Sequence, residues 1–251
     1  MASTDRQPTF QLARGDAVAW LRGLPPASVD LVITDPPYES LEKHRAIGTT
    51  TRLKHSKASS NDWFSIFPNA RFPELFAEIY RVLAKDRHFY LFCDPETMFV
   101  AKPLAEAAGF KFWKPLVWDK KFFGMGYHYR ARYECILFFE KGKRKLADLG
   151  VADIIEAKRV VHGYPAEKPV AVSEVLVAQS STPGELVVDP FVGSGSVGVA
   201  AVHGGRDFAG NDLCAEAVEA ARARIVEAGG RDAARAPRSI SGPPPQLGMP
   251  V

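Results

Sequence analysis

The chain has 251 residues, of which 46% are hydrophobic and 24% charged, which is enough apolar material for one sizeable core and fits one α/β domain with loops. A net charge of +3 does not by itself identify a polyanionic partner, so clustering of the basic residues matters more than their number. Cys93, Cys135 and Cys214 lack metal-ligand spacing and are odd in number, the six histidines form no ligand cluster, and no apolar run is long enough to span a bilayer; a disulfide framework, a structural metal and a membrane span are excluded.

Residues 1–9 are polar, read as a flexible segment, and carry no signal-peptide core, so a cytoplasmic protein in a reducing compartment is expected. Phe10 to Ala13 reads as a short strand before the turn residues Gly15 and Asp16. Ala17 to Leu24 reads as a helix stopped by Pro25 and Pro26. Val29 to Thr34 is a continuous, β-branched apolar run, as in a strand buried on both faces. It ends abruptly at Asp35-Pro36-Pro37-Tyr38.

Residues 39–70 lack periodicity and read as a mobile loop. Pro73 to Leu83 is an amphipathic helix with proline at its start, and His88 to Cys93 a buried strand. A helix follows to Ala108, closed by Gly109. Lys111 to Trp118 and Glu134 to Glu140 are two more strands, around a loop rich in Gly, Tyr and Arg. A short polar connection spans 141–163. Pro169 to Gln179 reads as a helix, Leu186 to Val188 as a strand, and a helix runs on to His203. Asp207 to Asn211 is a strand and Ala215 to Ala228 a helix. From Gly229 to 251 the composition is that of a disordered tail.

Strands alternating with helices imply βαβ units, hence one α/β domain over 10–228 with a doubly wound, mostly parallel sheet and helices on both faces. Ligands bind such sheets at the carboxyl ends of strands. Both distinctive motifs sit there.

The first is Gly193-Ser194-Gly195-Ser196-Val197-Gly198, a GxGxxG turn between strand and helix, with Asp212 at the end of the next strand. Glycines allow close approach of a ligand, and the carboxylate suits ribose hydroxyls, so an adenosine-containing cofactor is expected. A dinucleotide fold needs further strands after the acid, whereas here one helix and a Pro-rich tail follow. The partner strands must come from the N-terminal part, so the order is circularly permuted. Asp189-Pro190-Phe191 precedes the loop, and the Phe191 ring suits a cationic ligand such as a sulfonium.

The second motif is Asp35-Pro36-Pro37-Tyr38. Two prolines remove backbone donors, leaving carbonyls beside a carboxylate and an aromatic ring. This set suits gripping an amino group on a flat ring. An exocyclic amino nitrogen is a poor nucleophile because its lone pair is delocalised. Hydrogen bonds from its N–H groups to Asp35 and the Pro36 carbonyl draw it toward tetrahedral geometry, and interactions that strengthen as charge develops lower the barrier. Tyr38 is expected to stack on a base flipped out of its duplex.

With these residues the chain resembles the β-class amino-methyltransferases of DNA, in which the DPPY motif precedes the cofactor loop. The resemblance runs from about Gln11 to Glu227 and implies a Rossmann-like methyltransferase fold. It also implies S-adenosylmethionine as cofactor, double-stranded DNA as partner and room for a homodimer. Tyr164-Pro165-Ala166-Glu167-Lys168-Pro169 resembles the segment before the cofactor strand, which implies that Lys168 lies near the methionine end of the cofactor. Gly15-Asp16-Ala17 resembles the N-terminal GDA, whose acid sits near the adenine. Gly210-Asn211-Asp212 resembles the segment with the ribose acid, with Asp in place of the usual Glu. Ser196 stands where Thr is more usual, and Tyr164 where the family carries His. Asp at the head of DPPY is commoner for adenine N6 and Ser for cytosine N4. Adenine N6 is therefore expected, with cytosine N4, RNA or a protein glutamine as alternatives on the same fold.

For DNA contact, residues 43–57 hold Lys43, Arg45, Arg52, Lys54 and Lys57 with no acid among them, which suits phosphates. Tyr127, Arg130 and Arg132 combine stacking with charge. Target recognition in the family lies between that loop and the Lys168 segment, so the brief 141–163 connection implies a short or permissive recognition site.

Overall fold

A computed structural model describes residues 6–39, 65–124, 128–161 and 167–234. The elements in chain order are β1 (Thr9–Arg14), α1 (Ala17–Arg22), β2 (Val29–Thr34), a 3-10 turn (Asn69–Arg71), α2 (Phe72–Val82), β3 (Leu83–Cys93), α3 (Pro95–Ala107), β4 (Lys111–Asp119), β5 (Tyr133–Lys141), β6 (Ile154–Glu156), α4 (Val170–Ser180), β7 (Leu186–Asp189), α5 (Ser196–His203), β8 (Asp207–Asp212), α6 (Ala215–Glu227) and β9 (Arg231–Asp232).

They form one nine-stranded sheet in the order β6-β4-β5-β3-β2-β7-β8-β1-β9. β5 is antiparallel to both β3 and β4, and the other neighbours are parallel. The permutation read from the sequence is what the sheet displays. The glycine-loop strand β7 lies between β2 and β8, and β1 completes the far side of β8. The chain reverses its direction of travel across the sheet between β2 and β7, the switch point at which such sheets open a crevice.

Side-chain alternation puts a core on each face of this sheet. Leu31 and Ile33 of β2, Tyr90 and Phe92 of β3, and Ile136 and Phe138 of β5 pack with Leu176 of α4, Ala200 of α5 and Ile225 of α6. Val32, Phe89, Leu91, Leu137 and Phe139 point the other way, onto Val18 of α1, Phe76 of α2 and Ala101 of α3. In α2 the buried residues Phe72, Leu75, Phe76, Ile79 and Val82 follow the helical period, giving the helix one continuous apolar stripe. Burying each such ring or branched chain contributes roughly 1.5–3 kcal/mol. Cys93 and Cys135 face each other across the β3–β5 pair and are both buried, as core residues. No helix among the described residues is long and apolar enough to cross a membrane.

Four boundaries differ from the sequence expectation. β3 begins at Leu83 rather than His88, because the polar Lys85, Asp86 and Arg87 interrupt its apolar run, with Arg87 held on Asp30 and Glu185. β6 forms inside the 141–163 connection, where three residues among polar neighbours give too short a signal, and extends the sheet beside β4. Of the segment expected to be flexible over 1–9, Arg6 pairs with Asp207 at 2.6 Å, and Thr9 already belongs to β1. Of the tail expected from Gly229, the Arg231 and Ala233 amides donate to the Pro8 and Phe10 carbonyls, making β9 an edge strand. Residues 8–10 and 231–233 pair through their backbones, which neither segment's composition reveals.

Candidate active site

β2 and β7 are adjacent and parallel, so both motifs emerge at the same edge of the sheet. The Thr34 hydroxyl donates to Asp189 Oδ1 at 2.8 Å, and the Phe191 N–H donates to the same oxygen at 3.0 Å. Asp189 is buried, and burial pushes its carboxyl up to about 7 against the lowering effect of those two bonds.

The glycine loop is fixed from both sides. Its Val192 N–H donates to the Asn211 carbonyl at 2.8 Å and its Gly193 N–H to Asp212 Oδ2 at 2.9 Å. Asp212 Oδ1 accepts the Cys214 N–H at 2.9 Å, and burial raises this carboxyl above its ordinary value. Gly195 has φ 81°, and a Cβ there would lie 2.8 Å from Ala221 Cα of α6, so only glycine lets α5 start where it does. The Ser196 hydroxyl donates to the Lys168 carbonyl at 2.7 Å, tying the start of α5 to the segment before α4. Arg224 donates to the Ser194 carbonyl at 2.7 Å and pairs with Glu167 at 2.8 Å, which fixes the same junction from α6.

These segments enclose a cavity of about 560 Å³, within the usual range for small-molecule sites. Asp16, Ala17, Asp35, Pro36, Pro37, Tyr38, Lys168, Asp189, Phe191, Gly193, Ser194, Ser196 and Asp212 all line it. Gly195 does not, since it faces α6. Acids dominate the wall: Asp16, Asp35, Glu134, Glu167, Asp189, Asp212 and Glu216 stand against Arg14, Arg71 and Lys168.

At one end Asp16 caps α1, accepting the Ala19 N–H at 3.0 Å, and pairs with Arg71 at 2.7 Å. The Arg71 guanidinium holds the Asp16 carboxyl down at about 2. At the other end Asp35 accepts from the Tyr38 hydroxyl on Oδ1 and from the Lys168 ammonium on Oδ2. Lys168 also lies 3.3 Å from Glu134 Oε2, and Glu134 Oε1 is 2.6 Å from Lys120. Burial alone would push the Lys168 ammonium down, but Asp35 and Glu134 outweigh it and hold it above the usual lysine value. Burial alone would push the Glu134 carboxyl up, but Lys168 and Lys120 hold it below its ordinary value.

Two of the expected residues are already engaged within the fold. Tyr38, expected to offer a stacking face, lines the cavity, is 7% exposed and packs against the core, with its hydroxyl pinned to Asp35. Burial, with the Asp35 charge beside it, raises the phenol well above its ordinary value, so it stays a donor. Arg132, expected at the DNA, has both arms of its guanidinium on Asp119 at 2.7 Å. That bidentate pair joins the end of β4 to the start of β5. Arg130 is exposed and lies over the Phe123 ring at 5.2 Å. Lys43, Arg45, Arg52, Lys54, Lys57 and Tyr127 lie outside the described residues.

Three contributors were not legible as motifs. Glu134 looks in the sequence like the polar start of a buried strand. Asn211 is buried and joins three segments, donating to the carbonyls of Gly15 at 2.9 Å and Pro190 at 3.3 Å. A buried amide at a strand end next to the ribose-type acid is the signal that marks it. Arg159 lies over the exposed Phe122 ring at 5.4 Å, carried to the β4–β5 hairpin by β6. The Ala157 N–H donates to the Asp119 carbonyl at 3.1 Å, and Trp118 Nε1–H to the Ala157 carbonyl at 2.8 Å. Phe122, Phe123 and Arg130 are exposed and, with the half-buried Arg159, form an aromatic and cationic surface at the edge of the sheet where β3 ends.

The family model described as DNA methylase, of the N6/N4 type, matches residues 29–162 and 153–223 in two overlapping segments. The chain is 28% identical over 255 residues to the DNA adenine methyltransferase YhdJ of Escherichia coli (strain K12), covering 85% of this chain and 82% of that one. Its fold is similar to the crystal structure of the M1.HpyAVI–SAM complex, with TM-score 0.63 and 21% identity over 86% of this chain and 100% of that chain. It is also similar to the PvuII DNA methyltransferase, cytosine-N4-specific, with TM-score 0.65 and 17% identity over 88% and 89%.

Proposed function

This chain belongs to the DNA methylase family, and on that premise we propose that it methylates the exocyclic N6 of adenine at specific sites in double-stranded DNA. S-adenosylmethionine is the cofactor and supplies, when bound, a methyl group activated on a sulfonium. The residues present fit it. An acid-rich wall suits a cation, the Phe191 ring adds a π-face, and the open glycine backbone beside Asp212 suits a ribose. On this reading Asp212 faces the ribose, Asp16 and Ala17 the adenine end, and Lys168, Ser194 and Ser196 the methionine end.

The observation that carries the reading is the position of Asp35 on the wall of that cavity, joined to the glycine loop through Thr34 and Asp189. Asp35 and the Pro36 carbonyl accept the two N–H groups of the target amine. As positive charge grows on that nitrogen, the carboxylate's attraction grows with it, which is differential stabilisation of the transition state. Tyr38 orients Asp35 by donating to Oδ1. Reaching the base requires that it be flipped out of the duplex. Phe122, Phe123, Arg130 and Arg159, with the basic residues of 43–57, hold the flanking DNA, and a second copy of the chain supplements the short 141–163 connection.

Adenine is favoured over cytosine by Asp at the head of the motif and by the adenine-acting relative. Cytosine N4 is the second reading, since the same grip serves either amine. The deciding experiment is nucleoside mass spectrometry of unmethylated genomic DNA incubated with the protein and S-adenosylmethionine, with Asp35→Ala as control. N6-methyladenine dependent on Asp35 is the expected product. N4-methylcytosine replaces the base assignment, and absence of any DNA product despite cofactor binding moves RNA or protein to the front.

A further inference from the structure

We propose that Glu134 is a positioning residue that draws the Lys168 ammonium away from Asp35 when the target amine enters. The inference rests on the gripping role of Asp35. In the structure both Asp35 oxygens are engaged, one by the Tyr38 hydroxyl and the other by Lys168. An ammonium on that carboxylate opposes the reaction twice: it competes with the amine for the acceptor, and it places a positive charge beside a nitrogen that is becoming positive. Lys168 cannot simply be released, because a buried cation without a partner is costly.

Glu134 resolves this conflict. Its Oε1 is held by Lys120 at 2.6 Å, which fixes the side chain in place. Its Oε2 is buried and makes no aligned hydrogen bond, yet it stands 3.3 Å from the Lys168 nitrogen. A buried carboxylate oxygen lacking a hydrogen bond is uncommon, and here it lies within a few tenths of an ångström of one. The main chain of Lys168 is anchored by the Ser196 hydroxyl on its carbonyl, so only the ammonium end has to shift. Lys168 passes from two partners to one, remaining charged and paired throughout. Glu134 touches none of the reacting atoms and acts through Lys168.

The test is single-turnover methyl transfer at saturating S-adenosylmethionine and DNA for the parent, Glu134→Gln, Glu134→Asp, Lys168→Met and the Glu134→Gln/Lys168→Met double variant, with cofactor affinity measured alongside. Glu134→Gln is expected to slow transfer by about tenfold or more, with cofactor affinity within about twofold of the parent. Glu134→Asp is expected to recover part of the loss. In the Lys168→Met background, Glu134→Gln is expected to cost less than about twofold, because there is no ammonium left to position. A Glu134→Gln rate equal to the parent's overturns the proposal, as does the same loss with and without Lys168. If Glu134→Gln does not fold, the Glu134→Asp and double variants carry the same comparison. A parent that methylates DNA while these outcomes fail removes the inference alone; a parent inactive on DNA removes it together with the reading beneath it.

Discussion

The hydroxyl of Thr34 and the carboxylate of Asp189 meet at 2.8 Å where two neighbouring strands end. One residue precedes the Asp35 turn and the other opens the glycine loop, 155 positions apart in the chain. That side-chain bond, alongside the β2–β7 pairing, ties the turn carrying Asp35 to the start of the glycine loop.

Thr34→Val keeps the shape and removes the donor. It leaves a buried acceptor short of one partner, so a loss of about 1–3 kcal/mol in stability is expected, read by chemical denaturation. Methyl transfer should fall further than stability predicts, because the two motifs lose their tie. An unchanged rate would show that the strand pairing alone fixes the spacing.

Asp189 makes stability depend on pH in a direction opposite to most acids. Its folded carboxyl titrates near 7, whereas the ordinary value is 3.8. The folded state binds the proton more tightly, so the contribution is fully present below about 4 and is lost as pH rises through 7. Asp189→Asn should abolish that slope, gaining on the parent between pH 4 and 7 and running parallel above it. Melting temperatures across that range test the sign.

Gly195→Ala places a Cβ 2.8 Å from Ala221 and forces a side chain onto φ 81°. Strain of this kind costs roughly 1–3 kcal/mol. Because the loop and α6 must separate to relieve it, cofactor affinity should drop more than stability, measured by calorimetric titration with S-adenosylmethionine.

Arginines at the β4–β5 hairpin, including Arg159 brought there by β6, should divide into two kinds. Arg130→Glu and Arg159→Glu should weaken DNA binding and flatten its dependence on salt, with the melting temperature little changed. Arg132→Glu instead breaks the bidentate pair with Asp119 and sets like charges together, so it should loosen the hairpin itself. Charge reversal at Arg52 and Lys54 should resemble Arg130→Glu. Binding isotherms at two salt concentrations, with thermal melts, separate the classes.

Asp35→Ala should abolish methyl transfer and leave cofactor affinity within a few-fold, since the glycine loop and Asp212 are untouched. Glu134 remains to pair with Lys168, which limits the cost to stability. Retained turnover would sink the gripping role.

By itself the sequence determined the fold class, the permuted order and both motifs. The physical reason is local: buried strands such as Val29–Thr34 read as apolar runs, and turns such as 35–38 and 193–198 need particular residues for backbone conformation or ligand approach. The two-faced core followed as well, because period-two alternation already assigns each side chain to a face. Only the tertiary structure decided which charges meet. Glu134 beside Lys168, Arg132 on Asp119 and Arg159 over Phe122 join residues that strand order brings together across gaps in the chain. β6 and β9 were equally hidden, since strands of three and two residues draw their stability from a neighbouring edge rather than from their own composition. Charge pairing and edge pairing depend on distance in space, and no local pattern encodes that distance.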